Sequence, residues 1–288
     1  LTRENLVLAK QKRAQQVLRE AEKQKITSGA EFRRMTYPLR KLSELHKQAI
    51  EEDLPCLLEL VRIWDALAKE AAQVAANENE LATVLGASPQ GPDLEGYALA
   101  RQRLIALVER KLQTIEVSVA KDLYGKIPTG PEDKKDEELV KLRSKVAVAW
   151  YQALYNQVAT LDAADMLCEL FLDLPPEGGD VFALATLIAE EAARLATSAS
   201  LAKDVVRNWL PKVEKRRPAN DPLIKILYGT MHRRWNLLFT RQIQEAATLD
   251  EYFLALEDSG IYNRTSWVVK KGMELCQAIA DLRRFDAE

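Results

Sequence analysis

The stretch DLEGYALARQRLIALVERKLQTIEVSVAKDL, residues 93–123, contains no proline and a single glycine. It predicts one helix of about 30 residues, about 45 Å long at 1.5 Å per residue. Apolar side chains recur in it at the spacing of one helical face, so this face is expected to be buried. The residues of the predicted buried face are Leu99, Leu104, Ile105, Val108, Leu112, Ile115 and Val119.

A second long helix is predicted from Pro131 to about Thr160, through the apolar run VAVAWYQALYNQV. Its first turns are rich in Asp and Glu, which the dipole of a helix favours at its N-terminus. Only the connection GKIPTGP, residues 125–131, separates the two helices. Because helices joined by a short loop are usually antiparallel neighbours, we expect this hairpin to be the centre of the molecule.

The rest of the chain predicts the same class of structure. Hydrophobic residues make up 47% and charged residues 29%, while Gly and Pro number only 11 each. This composition is typical of a folded all-α protein. We expect about ten or eleven helices, arranged as antiparallel helical hairpins in an irregular helical domain or a degenerate α-solenoid. No internal repeat is evident, since CLLEL (56–60) and CELFL (168–172) share composition but set no period.

Charge and punctuation divide the chain into three predicted regions. Residues 1–52 form a basic N-terminal helical arm, and residues 53–174 form a central half built on the long hairpin. Residues 175–288 form a C-terminal helical half, packed on the central half as one continuous array. Net charge alternates, from +7 over residues 1–50 to −8 over residues 51–100. Either neighbouring helices pair opposite charges, or one basic block contacts a partner.

The residues that metal, nucleotide and hydrolase sites require do not occur in their usual patterns. The two histidines, His46 and His232, lie in different predicted helices, and no HExxH, P-loop, GxGxxG or GxSxG motif is present. We therefore expect no cofactor and no enzymatic activity. Cys56, Cys168 and Cys276 are far apart among apolar residues, which predicts core thiols in a reducing, intracellular compartment. Neither a signal peptide nor a membrane-spanning run is recognisable.

A basic and aromatic stretch, PKVEKRRPANDPLIKILYGTMHRRW (211–235), is the strongest candidate for a contact with an anionic partner. On a helical wheel, Tyr228 and Trp235 fall on an apolar face, so we expect them to pack in the core. Residues 212–217 are predicted to be a cationic loop after a helix end, where cations also favour the helix dipole. Substituting Lys215, Arg216 and Arg217 with Glu is then expected to leave the fold almost intact.

These patterns predict a non-enzymatic helical scaffold or adaptor that binds a partner protein. The alternative is binding of RNA or another polyanion, such as an inositol phosphate. The residues predicted to contact an anionic partner are Lys212, Lys215, Arg216, Arg217, Arg234 and Arg241. A rival group on the N-terminal helix consists of Lys10, Lys12, Arg13, Arg19 and Lys23.

Overall fold

The computed structural model describes residues 25–36, 55–89, 94–113, 115–128, 136–217, 221–258 and 266–285, with scattered positions between 8 and 23. These residues form twelve helices with defined bounds and no strand, which confirms the all-α class. The number of helices slightly exceeds the predicted ten or eleven. The more specific prediction of a degenerate α-solenoid stays a prediction.

The chain divides into two compact units, one up to Trp150 and one from Tyr151 onward. The division falls inside a helix, whereas the boundaries predicted at 52/53 and 174/175 follow composition and stay predictions. The helices up to this division are α1 Gly29–Thr36, α2 Pro55–Val74, α3 Glu78–Ala87, α4 Glu95–Leu112, α5 Val117–Lys126 and α6 Glu137–Val158, which crosses it.

The second unit continues with helices of more varied length. Helix α9 is continuous but contains a π-helical turn, Val205–Trp209, between Ala199–Asp204 and Leu210–Arg216. The others are α7 Ala164–Leu170, extended by the 3-10 turn Phe171–Asp173, α8 Val181–Leu195, α10 Pro222–Glu245, α11 Leu249–Glu257 and α12 Ser266–Phe285. A capping box is present at Thr248, with its hydroxyl accepting a bond from the N–H of Glu251 at 3.2 Å.

The prediction of one helix over residues 93–123 is wrong. Helix α4 ends at Leu112, and a new helix, α5, starts at Val117 after an extended Glu116. Every second residue at this break is β-branched (Ile115, Val117 and Val119), and such residues lose side-chain entropy in a helix. Gly125 does not end a helix but lies inside α5.

Because of this break, α4 and α6 are parallel neighbours rather than the two arms of a hairpin. Near the start of α4, the Arg101 guanidinium contacts Asp136 at 3.1 Å and Glu138 at 2.8 Å. Near its end, the Glu109 carboxylate contacts the Lys145 ammonium at 2.5 Å. The contacts advance in the same direction along both helices, so the expectation of an antiparallel pair is wrong here.

Antiparallel neighbours do occur one step earlier in the chain. Glu78 at the start of α3 forms an ion pair of 2.7 Å with Lys111 at the end of α4. Burial is the largest single influence on the pKa of Glu78 and raises it. The hydrogen bond from the Lys111 ammonium, together with smaller favourable contacts, outweighs burial and leaves the pKa below its usual value. Helices α3 and α4 therefore form a hairpin of the predicted kind.

Helices α2 and α4 each cap an end of the other. The Asp65 carboxylate of α2 accepts bonds from the N–H groups of Glu95 at 3.0 Å and Gly96 at 2.8 Å, which open α4. The Arg103 guanidinium of α4 donates to carbonyls at the end of α2, including Gln73 at 2.7 Å and Ala75 at 3.1 Å. An acid thus lies at a helix N-terminus and a base at a C-terminus, as the helix dipoles favour.

Gly96 permits this close approach. A Cβ atom at this position would lie 2.6 Å from the carbonyl oxygen of Asp65 and 2.7 Å from the backbone nitrogen of Lys69. Both atoms belong to the backbone of α2, so they cannot move aside as a side-chain tip can. The glycine at residue 96 is therefore needed for helix contact, not for an unusual backbone angle.

The helices also recur along the chain in one order, which the sequence did not reveal. Helices α3, α7 and α11 begin at residues 78, 164 and 249, and therefore 86 and 85 residues apart. Helices α4, α8 and α12 begin at residues 95, 181 and 266, with the same two spacings. We call α2, α6 and α10 the first helices, and α4, α8 and α12 the third helices, of three successive sets.

Each first helix carries a buried tryptophan in the same register. Trp64, Trp150 and Trp235 are at most 5% exposed, and each lies 13 residues before the N-cap of the following helix. The positions 4, 8, 17 and 20 residues after each tryptophan are buried in all three sets. They are Ala68, Ala72, Leu81 and Val84; Leu154, Val158, Leu167 and Leu170; and Phe239, Ile243, Tyr252 and Ala255.

Substituting Asp65 with Ala removes the acceptor for two N–H groups at the start of α4. We expect it to lower the free energy of unfolding by about 0.5–2 kcal/mol, as for other N-cap losses. Equilibrium denaturation followed by circular dichroism measures this change. Asp65→Asn keeps one acceptor oxygen and should lose less. If Asp65→Ala were as stable as the original protein, this cap would not contribute to stability.

Candidate functional site

Half of the cations predicted to contact an anionic partner are instead engaged within the second unit. Arg217 is only 15% exposed in its side chain, donates to Asp221 at 2.6 Å and also donates to the carbonyl of Phe171. Arg234 donates to the carbonyl of Ala196 at 3.0 Å, just after α8 ends. These two arginines therefore bind groups of the second unit itself.

Arg241 forms a pair within its own helix, 2.7 Å from Glu245, with both side chains exposed. Exposed pairs of this kind contribute little to stability. The Arg241 guanidinium is therefore accessible to solvent. It lies more than one helical turn along α10 from Arg234. Arg241 is therefore a surface residue whose charge is partly balanced by its neighbour.

The remaining three cations lie at the end of α9, which we call the α9 basic end (Lys212, Lys215 and Arg216). They belong to the helix Leu210–Arg216, so the prediction of a loop over these positions is wrong. All three are exposed, and among the described residues Lys215 and Arg216 form no ion pair. The Lys212 ammonium lies 4.2 Å from the centroid of the half-buried Trp209 ring.

The rival N-terminal group is only partly described. Lys12, Arg13, Arg19 and Lys23 are exposed at helical positions, while Lys10 lies outside the described residues. Among the residues that the structure describes, these four cations form no ion pair and no contact with an aromatic ring. They have the distribution of a solvated helical surface.

A feature that the sequence reasoning missed lies on α12. One face of this helix is packed, since Val268 is fully buried and its carbonyl accepts a 2.9 Å bond from the Tyr252 hydroxyl of α11. A Cβ at Gly272, one turn later, would lie 2.7 Å from the same hydroxyl oxygen. Burial raises the pKa of Tyr252, which keeps this hydroxyl protonated as a donor.

The neighbouring face of α12 is apolar but exposed. Its residues are spaced by four, three and four positions, which places them along one line of the helix. Met273 is 68% exposed and Val269 is 50% exposed. We call this line the α12 stripe, and its members are Val269, Met273, Cys276 and Ala280. Helix α11 also leaves Phe253 and Leu254 exposed.

The cysteines are consequently not equivalent. Cys168 is buried, and burial raises the pKa of its thiol to about 12. Cys276 is exposed on the α12 stripe, so the prediction that it is a core thiol is wrong. The side chain of Cys56 lies outside the described residues. Because Cys276 is exposed and Cys168 is buried, Cys276 is the more accessible of the two described thiols.

His232 lies in a row of aromatic rings on α10. Its ring stacks on Tyr228 at a centroid distance of 6.1 Å and lies 5.8 Å from the Trp235 ring. Desolvation lowers its pKa, so the neutral imidazole is favoured in this aromatic row. His46 lies outside the described residues.

The described ranges offer few features of other kinds of site. They contain no group of three or more His, Cys, Asp or Glu side chains placed to hold a metal ion. A shallow groove of about 300 Å³ lies along one face of α2, lined by Arg62, Ile63, Ala66, Leu67 and Glu70. None of the helices in the part of the chain that the structure describes has the length and apolar character needed to cross a membrane.

Comparisons with protein-family models, with curated proteins and with solved structures found no match to this chain. Two surfaces of the described residues are candidates for a contact, the α12 stripe and the α9 basic end. The first is apolar and the second is cationic, and both lie in the second unit. The sequence alone singled out only the second.

Substituting Arg217 with Ala removes the ion pair with Asp221 and the bond to the Phe171 carbonyl. We expect a loss of about 1.5–3 kcal/mol in unfolding free energy, the usual contribution of hydrogen bonds to charged groups. The earlier expectation that Arg217 is replaceable is therefore corrected. The exposed neighbour Arg216→Ala is the matched control and should change stability by less than about 0.5 kcal/mol. Equal effects in equilibrium denaturation would contradict this distinction.

Proposed function

We propose that the protein is a non-enzymatic helical scaffold that binds a partner protein through the α12 stripe. The observation that supports this proposal is the exposure of Met273 and Val269 on a helix whose other face is packed. Single exposed apolar residues are common on protein surfaces, but a continuous line of them is typical of an interaction site.

The physical reason is the cost of leaving such a line in water. Removing apolar surface from water is favourable by about 25 cal/mol per Å², and a partner that covers the line gains this contribution. Met adds adaptable packing, because its unbranched side chain fills irregular contacts. Apolar helices with residues at spacings of three and four are also the usual form in which one helix docks on another protein.

Substituting Met273, which is 68% exposed, with Glu introduces a charge on the α12 stripe. We expect it to abolish retention of a protein that the immobilised full-length chain retains from native extract, because the buried carboxylate has no partner. Val148→Glu is the matched control, since Val148 is 53% exposed on α6. Retention is compared by quantitative mass spectrometry.

The location of the contact is checked by alkylation of Cys276 with and without the retained protein. A partner on the α12 stripe should slow alkylation of Cys276, whereas Cys168 stays unreactive throughout because it is buried. Loss of the same proteins with Met273→Glu and Val148→Glu, or an unchanged alkylation rate, would count against the proposal.

A second candidate function is binding of RNA or another polyanion, such as an inositol phosphate, at the α9 basic end. The observation that favours it is the Lys212 ammonium beside the Trp209 ring, next to two exposed cations. Aromatic rings and cations side by side are a common surface for single-stranded nucleic acid. The net charge of −2 gives no general attraction to polyanions, so any such binding depends on this local group.

Binding of a generic single-stranded RNA is expected to be weak and to fall steeply between low and physiological salt. Replacing Lys212, Lys215 and Arg216 with Glu should remove it, with unfolding free energy nearly unchanged because all three are exposed. Filter binding over a salt series measures the first effect, and thermal stabilisation by inositol hexakisphosphate tests the smaller ligand. RNA affinity that is independent of salt or of these residues would exclude this function.

A further inference from the structure

The shallow groove on α2, which we call the α2 groove, is an apolar face with an acid at one end. Every described residue that lines it belongs to α2. Leu67 is buried and Ile63 half-buried, both against the core of the first unit, while Ala66 is exposed. Glu70 is half-buried and forms no ion pair among the described residues. Because a half-buried carboxylate without a partner is unfavourable, this face suits a second helix that carries a base.

The connection that precedes α2 is much longer than its counterparts. Eighteen residues separate α1 from α2, whereas ten separate α5 from α6 and five separate α9 from α10. Each of these connections leads into a first helix. Connections of more than about 12–15 residues without secondary structure of their own are uncommon in compact domains. The connection before α2 therefore has room for one more helix.

Residues 37–54 lie outside the described residues, and their sequence predicts that helix over residues 38–52. Pro38 is suited to its first turn, and Pro55 disfavours a helical residue directly before it. A helix of this length is about 22 Å long. On a helical wheel its apolar residues fall on one side and most of its charged residues on the other. The apolar side consists of Leu39, Leu42, Leu45, Ala49 and Ile50.

The two ends of the connection determine the direction of this helix. Helix α1 packs on α2, and its last residue, Thr36, is 2% exposed, so the connection leaves from the interior of the first unit. It arrives at Pro55, the first residue of α2. Only residues 53 and 54 then separate the predicted helix from α2. Helices joined by a loop of two to five residues form antiparallel hairpins, so the predicted helix runs back along α2.

Antiparallel pairing places the apolar side of residues 38–52 at the level of the α2 groove. Counted outward from the turn at 53–54, each step back along the first helix corresponds to one step forward along α2. Leu45 then faces the level of Ile63, and Leu42 faces the level of Ala66, each within one residue. The apolar residues of the two helices therefore meet where the groove is observed.

The same pairing brings a base to the acid of the groove. Lys41 borders the apolar side on the wheel and lies about 6 Å, one turn, from the level of Glu70 along the helix axis. Side chains of a helix lean toward its own N-terminus. In an antiparallel pair this brings the Lys41 ammonium and the Glu70 carboxylate toward each other. Lys47, by contrast, lies about 15 Å from the level of Glu70.

We propose that the α2 groove binds residues 38–52 of the same chain as an antiparallel helix, with Lys41 paired to Glu70. The groove is thus an internal contact surface and not a site for a partner protein. The first set has this additional helix because its connection is long, and the shorter connections before α6 and α10 leave no room for one. The proposal is independent of the partner contact at the α12 stripe.

Carbodiimide coupling, which joins an amine to a carboxylate in contact with it, tests the ion pair in the unmodified full-length chain. We expect a Lys41–Glu70 link, identified by mass spectrometry of the digested monomer. Lys47 is the matched control and should form no link to Glu70. A link from Glu70 to Lys47, or to a lysine of residues 1–24 in place of Lys41, would overturn the proposed register.

A pair of introduced cysteines tests the apolar contact. In a chain with Cys56→Ser and Cys276→Ser, Leu42→Cys with Ala66→Cys should form a disulfide within the monomer at least tenfold faster than Leu42→Cys with Val148→Cys, because proximity raises the effective concentration of the thiols. Equal rates would overturn the proposal, and a disulfide that joins two chains would replace it with self-association. If these variants do not fold, as judged by circular dichroism, the carbodiimide result on the unmodified chain decides.

Discussion

Every helix end in this fold needs partners for its backbone N–H or carbonyl groups, and here neighbouring helices supply several of them. Asp65 accepts bonds from the first N–H groups of α4, and Arg103 donates to carbonyls at the end of α2. Each helix of the pair thus supplies hydrogen-bond partners for an end of the other. In the second unit, Lys203 donates to the carbonyl of Glu257 at 2.9 Å and Arg234 to that of Ala196. Charges of the sign that each helix dipole favours thus also fix the positions of neighbouring helices.

Because several cations bind carbonyl groups of the protein itself, the number of cations in a stretch of sequence is a poor guide to a binding surface. Arg217 and Arg234 looked like parts of a basic patch, but each satisfies a carbonyl oxygen of another segment. The alternation of charge along the chain has the same origin in part, since Glu78 in the acidic stretch 51–100 pairs with Lys111 beyond it. Such contacts favour the simpler of the two interpretations, that neighbouring helices pair opposite charges.

The sequence predicted the class, most helix starts and the core faces, because propensity, capping residues and apolar periodicity are local. Trp235 was placed correctly in the core by its position on a helical wheel. The break before Val117 and the parallel contact of α4 with α6 were not predicted, because they depend on packing between distant segments. The α12 stripe was visible as a spacing, but an exposed line and a buried line look alike until the packed face is known.

The recurrence of the helices is mainly one of packing. Apart from the tryptophan of each first helix, the three sets share buried positions rather than residue types, as in Ala68, Leu154 and Phe239, so the period leaves no extended motif in the sequence. On α12, Val269 and Met273 are apolar and exposed although the neighbouring face of the helix is packed, and apolar surface in water is unfavourable. This contrast between the two faces of one helix is the feature on which the proposed partner contact rests.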